Sequence, residues 1–376
     1  FDLQHHRDGI APGLALVDHA DADHAAQAHA AKDHRRADLQ PVDRAVEVRH
    51  RFFGVHPEAS PRRQAELREL LALIRGTNES LFITNGQHEG LVLVILRALH
   101  AAERIQDEKQ QVNFLSRLAY ASYLAPLHRL GRFYLRRAER LCQRTMPSAD
   151  QSGFYAMSAY FDTAEGDWDA SVEGFHRWIE SATRNGFGEQ AALGHSSRAA
   201  THLLMGNFAG ALADGEACFR IGQRMHNPIY TGSGIGWRAL VQLRRGEVAA
   251  AYDNAKAAQT HVAGLRDSAS NMSANGLLAY AAVLSGKPDE AAQQLAAALT
   301  RMRRYLPAAP SYQVIYSCVL LASLELASKT QERSPAERAL MDQRVRQALL
   351  RMVQFAVRFP IGWPHVFLGA GRYLGQ

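Results

Sequence analysis

The chain has little of what would staple a small secreted fold or hold a metal. Cysteine occurs three times in 376 residues, at Cys142, Cys218 and Cys318, isolated and odd in number. Such thiols favour reduced, buried side chains in a cytoplasmic protein over a disulfide framework or a zinc site. No run of 18 apolar residues exists. The stretch LVLVILRAL at 91–99 is too short to span a bilayer, so no membrane partner is expected. The opening residues lack the long apolar core of a signal peptide. Lysine is scarce, five against 38 arginines, a bias common in GC-rich genomes that says nothing about chemistry. The net charge is only +6, and neither aromatic interleaving nor a groove-reading motif accompanies it, so nucleic acid is not an expected partner.

What the chain does have is a period. Gly166, Gly206, Gly246 and Gly286 recur at one constant interval, each between an alanine-rich run and a polar restart. A fixed spacing of this size marks a stacked repeat. Ahead of each glycine, always at the same offset, come Ala159, Ala199, Ala239 and Ala279; after it, again in register, come Ser171, Ala211, Ala251 and Ala291. Small side chains at both places let two antiparallel helices approach closely. The glycine between them frees the backbone to end one helix and start the next. Just beyond it, Trp168, Phe208, Val248 and Pro288 open the second helix. One helical hairpin cannot bury its apolar face alone, but stacked hairpins can.

This spacing, with Trp178, Cys218, Ala258 and Ala298 in register beyond the second small position, resembles the tetratricopeptide family. The resemblance is good over about 108–305 and looser on the flanks. The usual unit is shorter, so the extra residues must lengthen the helices or the loops, as in the long repeats of large bacterial signalling proteins. It implies an all-α fold, a right-handed α-solenoid of antiparallel helix pairs, with the first (A) helix of each pair lining a concave groove. It further implies a non-catalytic module that binds a partner protein or peptide in that groove, without a cofactor. Tyr160, Leu240 and Tyr280, all at one offset before the turn glycines, face the groove by this resemblance. The string RFPIGWP at 358–364 is similar to a motif of repeats behind bacterial ATPase or nucleotide-cyclase modules, with Trp363 where that motif has arginine. The alternative function is therefore a ligand- or partner-sensing regulatory region of a larger bacterial ATPase, kinase or cyclase.

Outward from this centre the pattern loosens. Leu130-Gly131-Arg132-Phe133 reads as an earlier turn, set closer to Gly166 than the period allows, with Pro126 kinking or shortening the helix before it. Residues 60–76 read as an amphipathic helix with Ser60 as N-cap, and 86–105 as a buried one. A fifth hairpin follows at 310–359. Trp363, Val366, Phe367, Leu368 and Tyr373 fall in a last helix without a visible partner, so 57–376 reads as a solenoid truncated at its C-terminus that self-associates through that helix. Residues 1–56 hold eight of the 17 histidines and little periodicity. His19, His24, His29 and His34 recur every fifth residue, which on a helix puts them on different faces, so this segment reads as disordered or poorly packed and not as a metal site. Arg132, Arg136 and Arg140 lie four apart on one helix face, a basic patch suited to solvent or to an acidic protein.

Three motifs invite enzymatic readings. TGSGIGW at 231–237 has the glycines of a phosphate loop but no preceding strand and no following lysine, so close helix packing explains them better. Asp162, Glu165, Asp167 and Asp169 surround a turn, where carboxylates suit a helix N-terminus. His195 and His202 share a helix face beside Ser196 and Ser197, with no aspartate placed to orient a histidine in a recognisable nucleophile motif.

Overall fold

Each glycine-to-glycine period resolves into two helices and two short turns. The computed structural model describes residues 60–83, 88–145, 151–265, 267–305, 307–329 and 334–375. They belong to one unit, Glu58–Gln376. The histidine-rich segment at 1–56 lies outside the described residues. Fifteen α-helices occur among the described residues. The first eight are α1 Pro61–Ile83, α2 His88–Arg104, α3 Glu108–Leu124, α4 His128–Thr145, α5 Ser152–Glu165, α6 Trp168–Arg184, α7 Gly188–Leu204 and α8 Phe208–Arg224. Then come α9 Pro228–Arg245, α10 Val248–Val262, α11 Ser268–Leu284, α12 Pro288–Arg304, α13 Gln313–Lys329, α14 Pro335–Arg358 and α15 Trp363–Leu374. Short 3₁₀ turns at Pro310–Tyr312 and Pro360–Gly362 precede α13 and α15. No strand occurs among the described residues.

The turns share one device. Gly166, Gly206, Gly246 and Gly286 all adopt left-handed backbone, φ between 74° and 83°. At Gly206 the turn N–H bonds Leu203 C=O and the next N–H, of Asn207, reaches back to His202 C=O. These two bonds satisfy carbonyls that the helix end would otherwise leave unpaired. The residue after the left-handed position then caps the next helix: Asp167 accepts from Ala170 N–H, Asn207 from Gly210 N–H. The same turn recurs halfway through the period, at Gly186 and at His226, where His226 N–H bonds Gln223 C=O and Asn227 caps α9. The true beat is thus half the glycine interval, one helix and one turn.

This beat corrects one expectation. Gly131 is not a turn: it lies inside α4, buried, where an added Cβ would come within 2.8 Å of Phe161 Cζ and 2.9 Å of Ala119 O. The turn is Ala125–Leu127, centred on Pro126, one full glycine interval before Gly166. Leu127 N–H there bonds Ser122 C=O. The repeat therefore continues without shortening to the start of α3.

The small residues pack as their spacing demands. Ala159, Ala199, Ala239 and Ala279 are fully buried, as are Ser171, Ala211, Ala251 and Ala291. The glycines of 231–237 serve the same end. An added Cβ at Gly234 would meet Gly215 O at 2.6 Å and Phe219 N at 2.7 Å, so α8 and α9 touch backbone to backbone. The first helices of the hairpins, α3 to α15 in odd numbers, form the inner layer: α3 touches α5, α9 touches α7 and α11, and α13 touches α11 and α15. The winding is tight enough that the inner face of α5 also meets the 3₁₀ turns before α13 and α15.

Candidate interaction surface

The inner face divides into two regions of different chemistry. In the early hairpins it is aromatic and covered. Tyr120 of α3, Tyr160 of α5, and Phe175 and Trp178 of α6 form one buried cluster, with Tyr120 and Tyr160 ring centres 5.7 Å apart. Tyr160 is buried, bonded through its hydroxyl to Ser197 Oγ at 2.8 Å and set edge-on to Phe175 at 5.3 Å. Burial pushes its phenol up to about 12, so it stays neutral. Leu240 is also buried. Neither residue offers surface to a partner, contrary to the groove expected from the resemblance. The physical reason is curvature: the inner layer closes on its own later connectors. Ala309 packs against the aromatic cluster, Tyr120 Oη donates to Ala308 C=O, and Tyr123 stacks on Phe359 at 6.0 Å.

Tyr280 differs. It is half-buried on α11, and burial raises its phenol, with Cys318 and Glu325 adding to the shift and Arg244 and Arg372 opposing it. Those neighbours come from α9, α13 and α15, so four successive inner helices converge there. Arg372 Nη2 bonds Glu325 Oε1 at 2.7 Å. His365 is half-buried, and burial together with the Arg244 charge lowers its imidazole, keeping it neutral at pH 7. Arg244 itself is exposed. Tyr280 follows from the repeat spacing, whereas Arg244, His365 and Arg372 stand at unrelated offsets in their helices.

The basic patch lies on the outer layer. Arg132, Arg136 and Arg140 are all exposed on α4, Arg132 paired with Glu165 Oε1 at 3.2 Å, and the adjacent Phe133 is half-exposed. Arg137, one residue round the helix, instead turns inward to Glu103 at 2.7 Å.

The histidines of α7 do find an aspartate. Asp214 of α8 is buried, accepts from Arg198 at 2.7 and 2.9 Å and lies 2.8 Å from His195 Nδ1. Its burial would raise the carboxyl, but the hydrogen bonds of His195 and Arg198 and the Arg198 charge outweigh that and leave it below the usual range. His202, 3.7 Å from the same carboxylate, is lowered by burial, with Asp214 opposing and Arg198 assisting. Ser196 is engaged elsewhere, accepting from Trp237 Nε1 at 2.9 Å. The group reads as a polar lock between α7 and α8. Among the described residues no cluster of metal-ligating side chains occurs, and no helix is long and apolar enough to cross a membrane.

The terminal helix α15 is amphipathic in fact as well as pattern. Val366 and Gly369 are buried, Gly369 close to Leu320 and Leu349, and Tyr373 Oη bonds Asp342 of α14. Phe367 and Leu368 point outward, 68% and 57% exposed. The expected apolar strip thus splits into a docked half and an open half.

No protein-family model and no curated protein matches the chain. Among solved structures it is similar to a Rap protein complexed with competence and sporulation factor, with a TM-score of 0.50 and 11% identity over 83% of this chain and 96% of that one. BtubC (BKLC) from P. vanneervenii gives a TM-score of 0.40 and 16% identity over 65% of this chain and 93% of that one. At such identities the first likeness extends to fold: this is a helical-repeat solenoid of the tetratricopeptide-like kind.

Proposed function

We propose that the chain is a non-catalytic cytoplasmic interaction module that holds a partner protein or peptide against the inner face of its late hairpins. The observation that carries this reading is the convergence of Tyr280, Arg244, His365 and the Arg372–Glu325 pair from four inner helices, with Arg244 exposed and Tyr280 half-buried. A rigid aromatic with few torsions, within electrostatic reach of guanidinium groups, suits polypeptide contact. The Rap protein of similar fold was solved with a second molecule bound, which supports a binding role for this architecture.

A photo-crosslinking amino acid at position 280, introduced in cells, tests this. It should yield a discrete polypeptide adduct that Arg244→Glu weakens, while the same probe at exposed Asp253 on outer helix α10 should not. Absence of an adduct at 280, or identical adducts from both positions, would end the proposal.

A second reading makes this module the sensing region of a larger bacterial ATPase, kinase or cyclase. It is supported by the RFPIGWP string, whose Phe359 is fully buried and whose Pro360–Gly362 turn aims α15 back onto the stack. The exposed Arg136–Arg140 edge fits an acidic partner, and Phe367 and Leu368 fit self-association through α15.

A further inference from the structure

The connection between α12 and α13 breaks the repeat. On the helix-plus-turn beat an inner helix would begin near 308, but α13 begins at Gln313. Tyr305 (φ −121°, ψ 131°) and Ala309 (φ −150°, ψ 147°) are extended, Pro310–Tyr312 then form the 3₁₀ turn, and both Pro307 and Pro310 are buried. The 3₁₀ turn meets α5 and α7 on the inner face of the early hairpins, and Ala309 packs against the aromatic cluster there. The contact is of the kind made to a bound peptide. A tyrosine hydroxyl from α3 donates to the Ala308 main-chain carbonyl, a small side chain at Ala309 rests on an aromatic floor, and Pro307 and Pro310 on either side restrict the backbone. Aromatic-lined grooves recognise proline-containing segments in this way, because a chain already stiffened by proline loses little entropy on docking.

We infer that residues 307–312 are an intramolecular occupant of a second peptide site, the early inner face. An uncharged, proline-containing segment of a partner takes the same place by displacing them. This rests on the inner-face reading above and adds its regulation: the early half is closed in cis and opens only to a competitor of like chemistry. The strap carries no charge, and Tyr120, Tyr160 and Trp178 beneath it carry none either, so the competitor must be uncharged where it docks. Small side chains are required opposite the rings, where Ala309 sits.

The test uses a labelled synthetic peptide of residues 305–313 and the full chain. Replacing Pro307, Ala308, Ala309 and Pro310 with Gly-Ser-Gly-Ser should open the site. The peptide should then bind at least about tenfold more tightly than to the unaltered chain, since a tethered occupant competes at an effective concentration on the order of millimolar. Adding Tyr120→Phe to the opened chain should weaken binding by roughly three- to tenfold, the loss of one hydrogen bond. Equal binding to both chains, or none to an opened chain with native circular dichroism, overturns the inference. If the opened chain fails to fold, hydrogen exchange on the unaltered protein decides. Millimolar peptide should speed exchange at the Ala308, Ala309, Ser311 and Tyr312 amides without affecting α3, and unchanged rates there overturn it equally. Crosslinking at 280 probes other helices, so either result can fail without the other.

Discussion

Two alanines introduced into one short motif should act with opposite sign. Gly234 and Gly236 are neighbours but one on α9, both buried, and a phosphate-cradling loop would need both. In the observed packing their surroundings differ. A methyl at Gly234 would sit 2.6 Å from Gly215 O and from Phe219 Cβ, and 2.7 Å from Phe219 N. Two of those three are backbone of α8 and cannot swing aside. A methyl at Gly236 would meet only Leu277 Cδ2, at an ordinary 3.7 Å. Glycine to alanine inside a helix gains about 0.5–1 kcal/mol from backbone entropy. Overpacking against fixed atoms costs about 1–3 kcal/mol, and rigid backbone puts this site at the upper end. Gly234→Ala should therefore lose roughly 2 kcal/mol net, and Gly236→Ala should gain up to about 1 kcal/mol. Urea unfolding followed by circular dichroism reads both as shifts of the midpoint in opposite directions. Equal losses at the two positions would mean that close helix contact is not why these glycines are there.

Asp214→Ala would strand the Arg198 guanidinium and His195 between α7 and α8, at a cost of about 3–5 kcal/mol, measurable in the same titration. Because the Asp214 carboxyl is held below its usual range, its contribution is present at neutral pH and lost as pH falls through that lowered value; Asp214→Asn should flatten the acid limb of the stability profile. Asp162 has the reverse sign: burial, with Asp167, Glu165 and Glu139 assisting and a Ser158 hydrogen bond opposing, lifts its carboxyl to about 7. The stability tied to its protonated form is complete below its ordinary value of 3.8 and is lost as pH rises from there to about 7, so Asp162→Asn should be neutral at roughly pH 3 and stabilising at pH 8.5. That gain would be about 4 kcal/mol if fully expressed, reduced to roughly 1–2 kcal/mol by the water that reaches a half-exposed carboxyl. Phe367→Glu with Leu368→Glu should leave melting unchanged and abolish any concentration-dependent sedimentation, and persistence of association in that variant would move the interface away from α15.

The fold was legible where the chemistry of a turn forces one residue type. Only glycine takes left-handed backbone cheaply, so four glycines in register announced the hairpins. Two of the intermediate turns stayed hidden because His226 and Gln106, at φ 51° and 56°, fill the same conformation without being glycine. Gly131 misled for the converse reason, since a glycine needed for contact with Phe161 looks in sequence like one needed for a turn. A better signal was present in the capping residues. Asp107, Asp167, Asn207, Asn227 and Asp267 each accept from the first turn of a helix, and every gap between them is a whole number of half-periods. Asparagine and aspartate at that spacing carry the beat that glycine alone leaves incomplete.

The inner surface was less legible, because repeat logic assigns a residue to a face without saying what later covers that face. Tyr160 and Tyr280 hold the same position in their hairpins, yet one is sealed and the other half-open. The difference comes from a connector far downstream of Tyr160, brought back by the pitch of the stack, and pitch is the sum of many small helix–helix angles that no single position encodes. The Asp214 lock shows the intermediate case. Its members look unrelated as a string, but once the turn is placed at 205–207, His195, Arg198 and Asp214 lie at similar distances on either side of it and must face each other across the hairpin. Local chemistry becomes readable as soon as the hairpin register is known; contacts made around the superhelix become readable only with its curvature. Ala308 and Tyr120, 188 residues apart, belong to the second kind, which is why the covering of the early inner face had to be seen in three dimensions.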